Sequence, residues 1–236
     1  FAYLPGAPFT PDKNKIKRDG TMLGLAIFVI IPFLLEFIDN RVKSPWDVEV
    51  FIGRDLIAGI PKISEVEENQ RPLIVGNDLD DGLTESFRSM FSRIQMNSLN
   101  DYPKTILVTS AIPSEGKSLI SANLAYSCAN HGKKTILIDF DLRRPGIHKF
   151  CNITNEKGLL SLINSEKTDL KELQELAQST VTQIHPNLLV LPSGGKTRAA
   201  TELLESNSFD RIHKILRTIA DVIIIDSPPI GLFPDS

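Results

Sequence analysis

The 236 residues hold 26 Lys and Arg against 29 Asp and Glu, a net charge of −3 with no basic stripe, which argues against a nucleic-acid partner. That length suits one sizeable domain with a smaller appendage, and a first residue of Phe predicts a piece of a longer chain. Two cysteines, Cys128 and Cys151, lack metal-site or redox spacing and predict a reduced setting, and His131, His148, His185 and His213 are too scattered for a ligand cluster.

Phe1 to Thr10 is apolar but broken by Pro5 and Pro8, so it is expected to be extended. A charged patch follows, Asp12 to Asp19, with Lys13, Lys15, Lys17 and Arg18. Met22 to Leu35 is an unbroken apolar run, and counting on to Ile38 admits only Glu36. A span usually needs about 20 apolar residues, so a buried core helix competes with a membrane helix here. Apolar character on all sides and charges at both ends favour the membrane. The charge bias, four cations before the run against Arg41 and Lys43 after it, would put the N-terminus in the cytoplasm. The Gly116-Lys117-Ser118 signature of a phosphate-binding loop lies C-terminal to the run; it argues for the opposite orientation and carries more weight.

Asn40 to Gln70 reads as a charged connector around one apolar knot, Leu56-Ile-Ala-Gly-Ile-Pro61, with a turn at Gly59 and Pro61. Over Asp80 to Asn97, Leu83, Phe87, Met90, Phe91 and Ile94 recur at helical spacing and predict an amphipathic helix with Glu85, Arg88 and Arg93 on its polar face. Beyond Lys104, apolar β-branched runs (Thr105–Val108, Thr135–Ile138, Leu188–Leu191, Val222–Ile225) alternate with helical patterns (Leu119–Ala129, Gly158–Ile163, Asp169–Gln178, Phe209–Ile219). Such alternation predicts an α/β fold, a doubly wound parallel sheet of the P-loop NTPase type. Ligands in these sheets bind beyond the carboxyl ends of the strands.

Ala111-Ile-Pro-Ser-Glu-Gly116-Lys117-Ser118 fits a deviant phosphate-binding loop, with Ala where the strict pattern has its first Gly. A strand before it and a helix after it aim backbone N–H groups and a helix dipole at one anion. The candidate nucleotide cradle is Ser110, Ala111, Ile112, Pro113, Ser114, Glu115, Gly116, Lys117, Ser118 and Leu119, with Arg143 added from the motif that follows. Lys117 is expected on the β- and γ-phosphates of ATP, and the Ser118 hydroxyl on Mg²⁺.

Ile136-Leu-Ile-Asp139-Phe-Asp141-Leu-Arg143-Arg144-Pro145 sets two acids at the end of one strand, and Val222-Ile-Ile-Ile-Asp226-Ser-Pro-Pro229 sets a third at the end of another. A carboxylate at the rim of a dry core needs a partner, and Mg²⁺ with a polyphosphate supplies one. Lys117, Asp139, Asp141 and Asp226 are therefore the candidate catalytic residues, and Ser118, Asp139 and Asp226 the candidate metal ligands. A purely structural role for Asp141 would be to cap the turn at Arg143.

These motifs together resemble the bacterial tyrosine kinases, the cytoplasmic ATP-binding modules of polysaccharide co-polymerases that control capsule and exopolysaccharide assembly. Further likenesses are Asp47-Val-Glu with the Ile57-Ala-Gly-Ile-Pro61 knot, Glu85-Ser-Phe-Arg88, Gly158-Leu-Leu-Ser-Leu-Ile, Leu191-Pro-Ser-Gly and Glu202-Leu-Leu. The resemblance implies a periplasmic Pro-rich segment (1–20), a transmembrane helix (21–38), a juxtamembrane linker (39–80) and a kinase domain (81–236). It implies an inner-membrane location with the kinase domain in the cytoplasm, and autophosphorylation on tyrosine. It also implies self-association through Glu85 and Arg88, and as partners a tyrosine phosphatase and the export machinery.

In that family Asp226 is the Walker B acid, and one of Asp139 and Asp141 is the base for the tyrosine hydroxyl, Asp139 being favoured. Two departures stand out. Phe91 occupies a position where the family has a second Arg on the oligomerisation helix, and the family's tyrosine-rich tail has no counterpart among Tyr3, Tyr102 and Tyr126. The alternatives are an ATP-driven dimerisation switch of the partitioning type, which usually carries an extra Lys early in the loop, and a structural co-polymerase without kinase activity.

Overall fold

The computed structural model describes residues 12–39, 42, 44, 46–64, 66–97, 103–165, 169–197 and 208–230. The Pro-rich start, Arg41, Lys43, Tyr3, Tyr102 and the Glu202-Leu-Leu landmark lie outside them. The chain divides into two units, one ending at Leu56 and one beginning at Ile57.

In the first unit, α1 (Lys13–Ile38) is 26 residues long, or about 39 Å at the rise of an α-helix. It begins earlier than the apolar run because the Asp12 carboxylate accepts from the N–H groups of Asn14 (2.9 Å) and Lys15 (3.3 Å), capping the first turn. The charged patch is thus the first part of the helix, not a separate segment. None of its side chains is buried, and among the described residues it is the one helix long and apolar enough to cross a membrane. Farther on, Ser44 N–H donates to Asp47 (2.9 Å) and Asp47 N–H to the Ser44 hydroxyl (3.4 Å), opening a π-helical turn over Asp47–Ile52.

The second unit is built on a five-stranded sheet in the order β1 (Thr105–Val108), β5 (Val222–Asp226), β2 (Thr135–Asp139), β4 (Leu188–Leu191), β3 (Thr182–His185). The first four strands are parallel, as the apolar runs predict. The edge strand β3 is antiparallel to β4 and was not legible in the polar run Thr-Gln-Ile-His, because an edge strand need not be apolar on both faces. Alternate residues of the strands enter two separate cores. Ile136, Ile138, Ile223 and Ile225 pack on α6 (Leu159–Ile163), α7 (Leu170–Thr180) and α8 (Ser208–Ile219). Leu137, Val190, Val222 and Ile224 pack on α3 (Asp81–Asn97) and α4 (Lys117–Asn130). The period of two thus distributes one set of strands over two helical layers.

The stretch expected as a linker becomes structured at Ile57. Ile60, Ile63, Val66, Ile74 and Leu83 form a small core of their own, and Val75 joins the α3–α4 core. The wholly buried Asn123 on α4 fastens this stretch: it accepts from Val75 N–H (2.9 Å) and donates to the carbonyl oxygens of Arg71 (2.8 Å) and Leu119 (2.9 Å). Residues 57–77 are therefore part of the sheet-bearing unit.

Gly76, in the short helix α2 (Ile74–Asn77), lies under the Tyr126 ring: a Cβ there would stand 2.6 Å from two ring carbons. Helix propensity alone favours Gly76→Ala, but the clash reverses the sign. The substitution is expected to destabilise the unit by about 1–3 kcal/mol and to lower its calorimetric midpoint by several degrees. The same packing leaves Tyr126 only 8 % exposed and pushes its phenol up to about 12, chiefly through burial.

The family position occupied by Phe91 has a packing reason. Phe91 is buried and its ring stacks on His131 with centroids 4.1 Å apart, so the helix turns this position into the core and not toward a second subunit.

Candidate functional site

Three strand ends meet at one level. Val108 lies opposite Asp226, and Asp226 opposite Asp139, so the residues that open the phosphate loop and close the two acidic runs sit side by side. Hydrogen bonds join the connections beyond them. Ser227 donates from both N–H and hydroxyl to Val108 O (3.1 Å each), Thr109 Oγ1 donates to Pro228 O (3.0 Å), and Ile230 N–H to Ser110 O (2.9 Å). The sheet therefore aligns the loop over the acids through backbone geometry, before any ligand takes part.

The loop itself bends through two left-handed residues, Ser114 (φ 67°) and Gly116 (φ 89°). Glycine accepts such a torsion freely; for Ser it is strained and needs support from its surroundings. No side chain caps α4, which starts at Lys117, two residues before its apolar pattern does. Among the described residues, no protein acceptor meets the N–H groups of Ser114, Glu115, Gly116, Lys117 or Ser118. Several donors and a helix dipole thus converge on one concavity, the geometry of a polyanion site. Ser110 turns its hydroxyl onto Ile112 O (2.8 Å), and Glu115 turns its carboxylate back onto Ala111 and Ile112, so these side chains shape the loop from outside.

A cavity of about 660 Å³ opens beside the loop, lined by Pro113, Ser114, Gly116, Lys117, Ser118 and Leu119 on one side and by Asp141, Arg144, Phe150 and Pro229 beyond. Glu68, Asn69, Arg71 and Pro72 complete its wall. These four come from the stretch read as a linker; contacts remote in sequence, the Asn123 clamp and the packing of Val75 on the α3–α4 core, bring them there. Arg143, half-buried, does not line the cavity, whereas its neighbour Arg144 does.

The three acids occupy unlike surroundings. Asp226 is 1 % exposed; Oδ2 accepts the Ser118 hydroxyl at 2.6 Å, and Oδ1 has no hydrogen-bond partner among the described residues. Its pKa is pushed up to about 6 by burial, against the lowering pull of the Ser118 hydrogen bond and the Lys117 charge. Asp139 is wholly buried; Oδ2 accepts N–H groups from Gly146 and Ile147 at 3.0 Å each, and Oδ1 is again unpartnered. Burial and then the neighbouring Asp226 charge push it up to about 7. Asp141 is half-exposed on the cavity, and its Oδ1 accepts Arg144 N–H at 2.9 Å, the turn-capping role that sequence offered as its structural reading.

Two buried, unpartnered carboxylate oxygens on adjacent strands, with a serine hydroxyl 2.6 Å from one acid, fit a hard divalent cation. Among the described residues no three His, Cys, Asp or Glu side chains come together. The donor set therefore suits a cation that also takes oxygens from a bound phosphate, the usual habit of Mg²⁺.

Residues 104–233 match the AAA_31 family, an AAA domain. The chain is 34 % identical over 165 residues to the putative tyrosine-protein kinase CapB of Staphylococcus aureus, covering 70 % of this chain and 69 % of that one. Over 238 residues it is 29 % identical to the tyrosine-protein kinase ptk of Acinetobacter johnsonii, covering 97 % of this chain but only 31 % of that relative. This chain thus spans about a third of that relative's length. In fold it is similar to the crystal structure of the chimerical protein CapA2B2, with a TM-score of 0.69 at 32 % identity over 81 % of this chain and 78 % of that one.

Proposed function

The chain belongs to the bacterial tyrosine-protein kinase family, and on that premise we propose that it transfers the γ-phosphoryl group of ATP to protein tyrosine. The observation that carries the reading is the alignment of the open loop donors, Lys117 and the Ser118–Asp226 pair against a cavity bearing a reachable carboxylate, Asp141. The loop N–H groups and Lys117 bind the β- and γ-phosphates, and Ser118, Asp226 and Asp139 would hold Mg²⁺. When bound, that ion neutralises charge on the phosphate oxygens during transfer. Asp141 takes the proton of the tyrosine hydroxyl as its oxygen bonds to the γ-phosphorus and the bond to the β–γ bridging oxygen breaks, releasing ADP.

This assignment reverses the preference for Asp139 as base that the motif suggested. Oδ2 of the buried Asp139 is taken by the N–H groups of Gly146 and Ile147, while Asp141 faces the cavity. Arg144, which lines the cavity where Arg143 does not, is the cation near the transferred group.

Several further readings rest on the family. α1 anchors the protein in the bacterial inner membrane with the kinase unit cytoplasmic. The output regulates capsule or exopolysaccharide synthesis, export and chain length, with a tyrosine phosphatase and the export machinery as partners. Self-association uses Glu85 and Arg88, which are exposed on α3 and pair with each other at 3.7 Å, a weak surface contact easily exchanged for one to a second copy.

The experiment is transfer of label from γ-labelled ATP, with Mg²⁺, onto a tyrosine-containing polypeptide, with free phosphate followed in parallel. Asp141→Asn is expected to lose tyrosine labelling while still binding ADP in a Mg²⁺-dependent way; Asp139→Asn is expected to lose the Mg²⁺ dependence of binding itself. Free phosphate without labelled tyrosine from the parent would point to an ATPase switch, and equal labelling by Asp141→Asn would remove it as base.

A further inference from the structure

The loop's backbone donors fall into two groups. Those of Ser114 to Ser118 meet no protein acceptor among the described residues, while those of Ala111 and Ile112 both donate to one oxygen, Oε2 of Glu115, at 2.9 and 3.1 Å. The Glu115 side chain therefore closes a ring across the loop, from its fifth motif position back to its first two. Between these anchor points lie Pro113, whose torsion is fixed by its ring, and Ser114, held at φ 67°. On the same stretch Ser110 ties down Ile112 O at 2.8 Å. An exposed loop with a strained non-glycine residue ordinarily relaxes when no ligand holds it. Here the loop's own carboxylate supplies the counter-anchor.

We propose that Glu115 is a positioning residue that preorganises the phosphate loop in its nucleotide-binding shape. The inference rests on the nucleotide-binding reading of this loop and adds to it a residue that touches no phosphate through its side chain. A carboxylate so near a polyphosphate is electrostatically unwelcome, and its value lies in geometry: ordering that the loop would otherwise undergo at the moment of binding is already complete. Since both N–H groups converge on a single oxygen, an amide oxygen serves equally well, and the negative charge itself is dispensable.

The test compares Glu115→Gln with Glu115→Ala in the whole chain in detergent micelles, reading Mg²⁺-dependent binding of a fluorescent ADP. Glu115→Ala is expected to bind about tenfold more weakly, because the loop's ordering is returned to the binding step. Glu115→Gln should bind as tightly as the parent or more so. Thermal midpoints without nucleotide should match in all three, since the loop is exposed and contributes little to the core. Parent-like binding by Glu115→Ala, or Glu115→Gln as weak as Glu115→Ala, overturns the brace. Because ADP binding is the readout, a parent that binds ADP yet labels no tyrosine would remove the kinase reading and leave this one standing.

Discussion

Lys117→Met is expected to abolish tyrosine labelling, by about a thousandfold or more, while leaving the melting midpoint of the unit within a degree or two of the parent. Lys117 opens α4 and lines the cavity without belonging to either core, so its side chain is free to serve a ligand. Met keeps the length and helix propensity of Lys and removes only the ammonium. That ammonium acts twice. In the proposed site it would face the transferring phosphate oxygens, and its charge also helps keep Asp226 ionised against the burial that pushes this acid up to about 6. Losing it therefore weakens phosphate and cation binding together, a larger effect than one hydrogen bond. Initial rates of label transfer at saturating Mg²⁺, with circular dichroism as the folding control, check the point. A variant as active as the parent would take Lys117 out of the site.

Asp139→Asn is expected to stabilise the ligand-free unit at pH 8, by about 1–3 kcal/mol, while crippling it as an enzyme. In the unfolded chain Asp139 ionises near the ordinary carboxylate value of about 3.9, whereas the folded state holds it up to about 7. Between those values the folded state keeps a proton that the unfolded state has released, so stability falls as pH rises through the window. Asp226, held up to about 6, contributes in the same direction over a narrower range.

Asparagine can keep both bonds from Gly146 and Ile147 on its single oxygen and sets a neutral amide, in place of a second carboxylate, beside Asp226, its partner in the strand register. Midpoints followed by calorimetry from pH 4 to 8 without Mg²⁺ should fall for the parent and fall less steeply for the variant, the two curves converging at the acid end. Parallel curves would show that Asp139 does not titrate in this range. Burial of ionisable carboxylates gives up stability, a cost characteristic of functional sites.

Much of this was legible beforehand. Where the chain's own pattern sufficed, sequence determined the result: four apolar runs fixed four parallel strands, Leu83 to Ile94 fixed a helix, and Gly116-Lys117-Ser118 between a strand and a helix fixed the loop. These are local signals, set by period, propensity and the torsion only glycine takes freely. The acids at strand ends were visible for the same reason, a charge terminating an apolar run.

What tertiary structure alone decided depended on contacts distant along the chain. Asn123 reaches back 48 positions to Val75 and converts an apparent linker into a cavity wall. Burial, unlike residue type, separates Asp139 from Asp141 and Arg143 from Arg144: Asp139 closes β2 beneath the N–H groups of Gly146 and Ile147, whereas the other three lie in the turn beyond the strand, where no regular period sets which side chain is covered. Phe91 was legible as apolar, but its partner His131 was not. Glu115 read as one more cradle residue until the loop's curvature carried its carboxylate onto Ala111 and Ile112. Sequence supplied the chemical groups; packing decided which of them face the ligand, since only the folded chain brings together residues that its covalent order keeps apart.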